Sequence, residues 1–254
     1  MLGEIKHAAK HVKRWMAPQR VATQIQFLPG RNRLIPQPLG VVGIIAPWNY
    51  PLQLALAPAV AAIAAGNRAM IKPSELTPRF AALLQEVVAA RFDATELTVT
   101  DIDDGIAEAF AALPFDHLIF TGSTRVGRLV AEAAGRNLTP VTLELGGKSP
   151  AIVDRSADLD EATARIAYGK LLNAGQTCIA PDYALVPADS VDALAAKLQA
   201  HIQRMYGTDP GNADYTAIIS DFHSTRLEQL VADAAAKGAR IMQAAQPDDP
   251  AWKA

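Results

Sequence analysis

The sequence predicts an α/β protein in which a parallel sheet is covered by helices on both faces. From residue 40 to residue 154, short apolar segments with strand character alternate with segments of helical spacing. Glycine, proline and asparagine separate these segments, as they do at the ends of strands and helices. Polar side chains follow several of the strand segments, at the carboxyl ends where parallel sheets bind their ligands.

The composition is ordinary for a globular chain. Half of the 254 residues are hydrophobic and 20% are charged, which suits one or two domains. The net charge of −2 gives no indication of a nucleic-acid partner. The single cysteine excludes an intramolecular disulfide, and we expect a reducing, cytoplasmic location. We expect no metal site, because His7 and His11 share a helix face without a third ligand.

The first forty residues predict a helix followed by a β-hairpin. Residues Glu4 to Trp15 have helical spacing, and their basic side chains fit a solvated surface helix better than a targeting peptide. VATQIQF (21–27) and LIPQPLGVV (34–42) are extended segments, and PGRNR (29–33) is the turn between them.

The next hundred residues contain five strand segments: GVVGIIAP (40–47), RAMIKP (68–73), LTVT (97–100), HLIFTG (117–122) and PVTLEL (140–145). The run LALAPAVAAIAAG (54–66) is too short to span a bilayer and predicts a helix buried on all sides. Thr77 and Pro78 are the predicted cap and first residue of the next helix, and GIAEAFAAL (105–113) is helical too. Ser123 caps a helix that ends near Gly135.

A second α/β unit follows. We expect strands at PAIVD (150–154), YALVP (183–187) and TAIIS (216–220). Helices are predicted from Asp158 to Gly175 and around 191–205, and a further helix and strand extend to about Ala245.

Five short motifs stand in order along the chain, although the P-loop and the Rossmann G-x-G-x-x-G pattern are both absent. They are PWNYP (47–51), KPSE (72–75), FTGSTRVG (120–127), LELGGKSP (143–150) and GQTC (175–178). With these motifs the sequence resembles the NAD(P)-dependent aldehyde dehydrogenase superfamily. The resemblance is strongest to the class 3-like branch, which includes the coniferyl-aldehyde dehydrogenases.

The resemblance implies an aldehyde dehydrogenase-like fold. Its parts are a Rossmann-like parallel-sheet cofactor domain, a truncated α/β catalytic domain and a β-hairpin oligomerisation arm. On this sequence they correspond to an N-terminal helix (1–20), the hairpin (21–38), the NAD-binding domain (39–145) and the catalytic domain (146–254).

Three residues carry the chemistry that the resemblance implies. Cys178 is the nucleophile, which attacks the aldehyde carbon as a thiolate. Asn49 donates its side-chain amide to the oxyanion, together with the backbone N–H of Cys178. Glu144 is the general base that activates water to hydrolyse the thioester. Because Leu143 and Leu145 flank Glu144, we expect a carboxylate on a buried strand, which is costly unless paired or functional.

The resemblance also implies NAD as cofactor, with NADP possible. Lys72 and Glu75 hold the adenosine ribose, and Glu75 favours NAD because it repels a 2′-phosphate. Ser123 caps a helix whose N-terminus attracts the pyrophosphate. The other predicted cofactor-binding residues are Trp48 beside the phosphates, Ser74, Gly122, Leu145, and Gly146 near the nicotinamide.

Two alternatives stay open at this point. The family is nearly twice as long, so the chain is expected to be a fragment that lacks the later Glu-Phe-Gly-Pro motif, and a truncated chain without activity is the first alternative. The second is transfer of the acyl group to coenzyme A or ester hydrolysis at the same cysteine, against which Glu144 argues. The expected partners are an aldehyde of aromatic or medium-chain type and a second copy of the chain, with no membrane and no nucleic acid.

Overall fold

The computed structural model describes residues 1–103, 105–208 and 212–244. They form two compact units, which are divided between Leu145 and Gly146. Parallel strands alternate with helices along most of the first unit, which confirms the predicted α/β class.

The N-terminal segment consists of helix α1 (Leu2–Trp15) and an antiparallel pair of three-residue strands, β1 (Gln19–Val21) and β2 (Asn32–Leu34). An antiparallel pair is therefore present as predicted, but it is shifted toward the N-terminus and shorter: only Val21 and Leu34 of the predicted arms 21–27 and 34–42 belong to it, and β2 begins within the predicted turn 29–33. Ile25–Phe27 is a 3₁₀ helix, because Phe27 and Leu28 donate their N–H groups to Gln24 and Ile25 three residues back rather than across the hairpin.

The first unit contains a parallel sheet of five strands at the positions that the sequence predicts. They are β3 (Val41–Ile45), β4 (Arg68–Lys72), β5 (Leu97–Val99), β6 (His117–Gly122) and β7 (Val141–Leu145). Their order in the sheet is β5-β4-β3-β6-β7. Strands β4 and β5 are added in turn on one side of β3. The chain then returns to the other side of β3, where β6 and then β7 are added. The gap beyond the carboxyl ends of β3 and β6 is therefore the topological switch point, where open α/β sheets bind ligands.

The register between β3 and β6 is fixed at their amino ends by Asp116. Its carboxylate accepts the N–H of Val41 at 2.7 Å, and its own N–H donates to the Val41 carbonyl at 3.0 Å. A side chain on Gly40 would collide with this carboxylate, and Gly40 has a φ of 138° that other residues rarely adopt. His117 then lies opposite Val42, and the ladder continues to the pair Ile45–Phe120.

Helices cover both faces of this sheet. They are α2 (Pro51–Ala64), α3 (Pro78–Ala89), α4 (Ile106–Ala111) and α5 (Thr124–Gly135). Ile44 packs in a core cluster with residues of α2 and α3, whereas its neighbour Ile45 packs in another with residues of α4 and α5. Adjacent strand residues point to opposite faces, so the two clusters lie on the two sides of the sheet.

One expectation about these helices is wrong. Helix α2 is not buried on all sides: its buried residues Ala55, Ala59 and Ala62 share one face, while Leu52 remains 50% exposed on another. Thr77 is the N-cap residue of α3 and Pro78 its first residue, as predicted, but the Thr77 side chain makes no cap bond, because its hydroxyl donates to the carbonyl of Ser74 at 3.2 Å. The predicted cap of α5 is confirmed, since Ser123 Oγ accepts the N–H of Val126.

The second unit contains two parallel strands, β8 (Ser149–Ile152) and β9 (Pro181–Leu185), and three helices. The helices are α6 (Leu159–Leu171), α7 (Val191–Tyr206) and α8 (Asp221–Ala236). All five correspond to predicted elements with shifted ends.

The strands predicted at 216–220 and after α8 are wrong within residues 212–244; the end of the second, at 245, lies outside the described residues. Glutamine side chains bond the backbone at both places, where a neighbouring strand would otherwise do so. Gln176 bonds Ala217 and Ile219, while Gln199 and Gln203 donate to the carbonyls of residues 243 and 244.

In the part of the chain that the structure describes, no helix combines the length and the apolar character needed to cross a bilayer.

Candidate active site

Trp48 and Asn49 follow the carboxyl end of β3 and therefore lie at the topological switch point of the sheet. Both are partly buried, and α2 begins at Pro51 after the N-cap residue Tyr50. The side-chain oxygen of Asn49 accepts the N–H of Tyr50 at 3.1 Å. This bond orients the carboxamide, because the oxygen is turned to the backbone and the two N–H donors form the other end.

The other side of the switch point is the end of β6. Ser123 lies between β6 and α5, and its hydroxyl satisfies one of the N–H groups that the first turn of α5 leaves unpaired. Gly122 has no room for a side chain, since a Cβ there would lie 2.5 Å from the ring of Phe120. A helix N-terminus of this kind attracts anions through its N–H groups and its dipole.

An ion pair between a buried lysine and an exposed glutamate lies at the end of β4. Lys72 is only 5% exposed, and its ammonium donates to a carboxylate oxygen of Glu75 at 2.8 Å. Partial burial raises the pKa of Glu75, but the hydrogen bonds and charge of Lys72 outweigh this effect, so the pKa lies below its ordinary value. Ser74 is also buried, and its hydroxyl accepts the N–H of Leu76 at 3.2 Å. The segment that follows β4 is therefore held in one conformation by its own side chains.

Glu144 does not lie on a buried strand, and this prediction is wrong. It is exposed on β7, which is an edge strand of the sheet opposite Thr121 of β6. The burial along β7 alternates: Leu143 and Leu145 pack against the second core cluster, while Glu144 points to the other face. The alternation of apolar and polar residues in VTLEL was the signal for a half-exposed strand.

Leu145 contributes to the packing of α5 on the sheet. Helix α5 approaches β7 so closely that a Cβ on Gly127 would lie 2.8 Å from a methyl group of Leu145. The side chain of Leu145 is therefore committed to the core, and a role in cofactor binding would fall to its backbone.

Cys178 is exposed at the second position of a turn in the second unit. The turn is closed by the N–H of Ala180, which donates to the carbonyl of Thr177 at 3.2 Å. Before it, α6 is followed by a 3₁₀ segment, Leu172–Gly175, in which Asn173 and Ala174 both have a φ of 54°. Each such left-handed residue other than glycine costs about 1–2 kcal/mol. The loop that carries the cysteine is therefore strained and has to be held in place.

The backbone around Gly147 contacts the cysteine turn. A Cβ on Gly147 would lie 3.0 Å from the carbonyl oxygen of Cys178, whereas a Cβ on the adjacent Gly146 would meet no atom within 4 Å. Lys148 follows directly and forms an ion pair with Asp182 of β9 at 2.6 Å. The Gly146–Lys148 segment and the cysteine turn are thus neighbours within the second unit.

Gln176 is a site residue that sequence reasoning included only as part of the GQTC motif. Its side-chain amide donates to the carbonyls of Asn173 and Ala217, each at 3.1 Å, and accepts the N–H of Ile219 at 3.0 Å. No pattern in the sequence indicates these bonds, since the segments they join are 41 and 43 residues apart.

The predicted site residues fall into two groups. Asn49, Glu144 and all the predicted cofactor-binding residues except Gly146 belong to the first unit and follow or end the strands β3, β4, β6 and β7. Gly146 and Cys178 belong to the second unit. Among residues 1–103, 105–208 and 212–244, no three acidic, histidine or cysteine side chains are grouped so as to hold a metal ion.

Known proteins resemble this chain over almost its whole length. The model of the aldehyde dehydrogenase family matches residues 1–251. A probable coniferyl aldehyde dehydrogenase of Pseudomonas aeruginosa is 50% identical over 94% of the chain, and the coniferyl aldehyde dehydrogenase of Pseudomonas sp. is 48% identical over 95%. Aldehyde dehydrogenase family 3 member A2 of Rattus norvegicus is 45% identical over 91%. The chain spans about half the length of these curated relatives.

Solved structures match as well. A substrate-bound AldH of Staphylococcus aureus superposes with a TM-score of 0.87 at 38% identity, covering 100% of this chain and 58% of its own. The Mycobacterium tuberculosis aldehyde dehydrogenase complexed with NAD⁺ gives a TM-score of 0.85 at 30% identity, covering 97% of this chain and 51% of its own.

Proposed function

Because the chain belongs to the aldehyde dehydrogenase family, we propose that the protein oxidises an aldehyde to a carboxylic acid with NAD(P)⁺ through Cys178. The observation that carries this proposal is the placement of Cys178. The only thiol in the sequence is exposed on a tight turn that follows a strained loop, where a substrate carbonyl can reach it. A cysteine kept only for packing would be buried.

The first unit is suited to a dinucleotide, and we assign residues 39–145 to its binding and residues 146–254 to catalysis. Ser123 and the N-terminus of α5 would hold the pyrophosphate at the switch point beside Trp48, and Gly122 lets the ring of Phe120 pack directly beneath this turn. Lys72 and Glu75, fixed against each other, would hold the adenosine ribose, with Ser74 keeping their segment in shape. The cofactor supplies the hydride acceptor.

Glu75 favours NAD⁺ over NADP⁺. A glutamate carboxylate is charged at neutral pH, and a charged carboxylate accepts from a 2′-hydroxyl but repels a 2′-phosphate. The structure of the M. tuberculosis relative contains NAD⁺, whereas a related Escherichia coli enzyme of known structure is described as NADP dependent.

Cys178 takes part in two chemical stages. Its thiolate attacks the aldehyde carbon, a carbon–sulfur bond forms, and the carbonyl electrons move to oxygen to give a thiohemiacetal. The amide N–H of Asn49 and the backbone N–H of Cys178 would stabilise this oxyanion, and loss of one such donor costs about 10²–10³ in rate. Loss of the hydride and return of the oxygen electrons leave a thioester on the cysteine.

Glu144 would act as the base of the second stage. It removes a proton from water, the hydroxide adds to the thioester carbon, and the carbon–sulfur bond breaks to release the acid and the thiolate. Its exposure on β7 gives it access to water. Only Leu145 and Gly146 separate it along the chain from Gly147, whose backbone contacts Cys178.

The substrate class follows from the relatives. Two of them are named for coniferyl aldehyde, so we propose an aromatic aldehyde of coniferyl type, with medium-chain aldehydes as the second class. A homodimer built through the hairpin remains a prediction that agrees with the exposure of Ile25 (83%) and Phe27 (62%) on it.

The test measures NADH formation from an aldehyde panel without coenzyme A. We expect Cys178→Ala to abolish turnover, and retained turnover in that variant would refute the mechanism. Glu144→Gln should still release one equivalent of NADH per cysteine and then stop, because acylation proceeds without the base while hydrolysis does not. Steady turnover that requires coenzyme A would identify acyl transfer instead of hydrolysis.

A further inference from the structure

We infer that Gln176 is the positioning residue of Cys178, and that it acts by bonding the strained cysteine loop to residues 217–219. The inference rests on the proposed function in one respect, that Cys178 is the reacting group. Gln176 does not touch the substrate in this scheme; it determines where the thiol two residues later is held.

Both ends of the Gln176 carboxamide are used. The nitrogen donates to the carbonyl of Ala217 at 3.1 Å and to that of Asn173 at 3.1 Å. The oxygen accepts the N–H of Ile219 at 3.0 Å. Only an amide has a donor and an acceptor side by side, so glutamate, which has the same shape, would place an oxygen against the two carbonyls.

The Gln176 carboxamide bonds residues 217 and 219 as a neighbouring strand would, although the chain bends at Ile219. In an extended segment, the carbonyl of residue 217 and the N–H of residue 219 point to the same side, and a neighbouring strand would bond both. Here one carboxamide bonds both. The segment with the strand-like sequence TAIIS therefore anchors the cysteine loop, and none of its residues 216–220 belongs to a β-strand.

The loop needs such an anchor because its conformation is unfavourable by itself. Asn173, Ala174 and Gly175 are all left-handed, with φ of 54°, 54° and 74°. Residues in this region persist only where the surroundings determine them. Gln176 follows directly and bonds Asn173 through both its side chain and its backbone N–H, the latter at 3.0 Å, so it fixes the last turn before Cys178.

The first test follows the mobility of a nitroxide label attached to Cys178, the single cysteine of the sequence. We compare the wild-type chain with Gln176→Ala, Gln176→Glu and the matched control Gln199→Ala. Gln199 lies in the same unit and also donates its side-chain amide to a backbone carbonyl, that of Gln243 at 2.9 Å, but makes none of the bonds that hold the cysteine loop.

We expect both Gln176 variants to shorten the rotational correlation time of the label by at least about 2-fold, because the loop is released, and the control to leave it unchanged. The glutamate variant keeps the volume of the side chain, so it carries the comparison if the alanine variant does not fold. A label that is as immobile in Gln176→Glu as in the wild type would overturn the inference.

The second test uses the unlabelled proteins and separates kcat from KM. Misplacement of a reacting group by about 1 Å costs up to about 10² in rate. We expect kcat of the Gln176 variants to fall about 10- to 100-fold, with KM for NAD⁺ within about 2-fold of wild type. If the label becomes mobile in the Gln176 variants while their kcat stays equal to that of Gln199→Ala, the role of Gln176 is structural only, and the inference is refuted. If the wild type makes no NADH from any aldehyde, the proposed function fails, while the label still decides whether Gln176 holds the loop.

Discussion

Replacing Gly147 by alanine tests whether the backbone at Gly147 presses against the cysteine turn. A Cβ at this position would lie 3.0 Å from the carbonyl oxygen of Cys178, so one of the two backbone segments must move by a few tenths of an ångström. The neighbouring Gly146 provides the matched control, because a Cβ there meets no atom within 4 Å. Neither glycine has a positive φ that would disfavour alanine.

The expected magnitude combines two opposing effects. Overpacking against a backbone atom costs about 1–3 kcal/mol, while replacing glycine by alanine stabilises by about 0.4–1 kcal/mol through the unfolded chain. Gly147→Ala should therefore lower the free energy of unfolding of its unit by about 1 kcal/mol, whereas Gly146→Ala should leave it equal or slightly raised. The corresponding difference in Tm is about 2–4 °C.

Thermal unfolding of the two variants measures this difference. A nitroxide label on Cys178 then shows whether the displacement reaches the cysteine, since its spectrum should change in Gly147→Ala and remain that of the wild type in Gly146→Ala. Equal Tm values and equal label spectra for the two variants would refute the close contact between Gly147 and Cys178.

Two other predictions concern charged groups. Asp158 caps α6 by accepting the N–H groups of Asp160 and Glu161, so Asp158→Ala should destabilise the second unit by about 1 kcal/mol in urea unfolding. Ser190→Ala should change it by less than about 0.5 kcal/mol, because the Ser190 side chain makes no cap bond, and equal effects would refute the capping argument. The pKa of Glu75 is lowered in the folded protein, so its charge contributes stability above the ordinary pKa of 4.5 and loses it as the pH falls through the lower folded value. Glu75→Gln should therefore lower the free energy of unfolding at pH 7 by about 0.5 kcal/mol, after allowance for solvent screening. The resulting difference in Tm from the wild type should vanish in acid, and a difference that grows in acid would contradict this sign.

Much of the first unit could be predicted because its signals are local. The segment HLIFTG is apolar and bounded by a serine that caps the next helix, and β6 and α5 lie where this pattern places them. The polar residues after β3, β4 and β6 follow from the same reasoning, since parallel strands bring their carboxyl ends to one edge. The order of the strands in the sheet does not follow from local pattern, and so neither did the switch point between β3 and β6.

The errors concern positions where distant segments decide the structure. Glu144 was expected on a buried strand, but β7 lies at the edge of the sheet, and only its alternate residues pack. TAIIS has the sequence of a strand, yet its backbone is bonded by Gln176, 41 and 43 residues away. Thr77 is at the predicted N-cap of α3, but its side chain makes no cap bond because the carbonyl of Ser74 is a competing partner for its hydroxyl.

The contact between Asp116 and Val41 has a consequence for residues at the opposite end of the sheet. It fixes the register between β3 and β6 at their amino ends, so it also fixes where the loops at their carboxyl ends begin relative to each other. A slip by one residue would displace the Asn49 loop relative to Ser123 by about 3.3 Å and turn every side chain of β3 to the other face. The alignment of the carboxyl end of the sheet thus depends on a carboxylate and a glycine at its amino end.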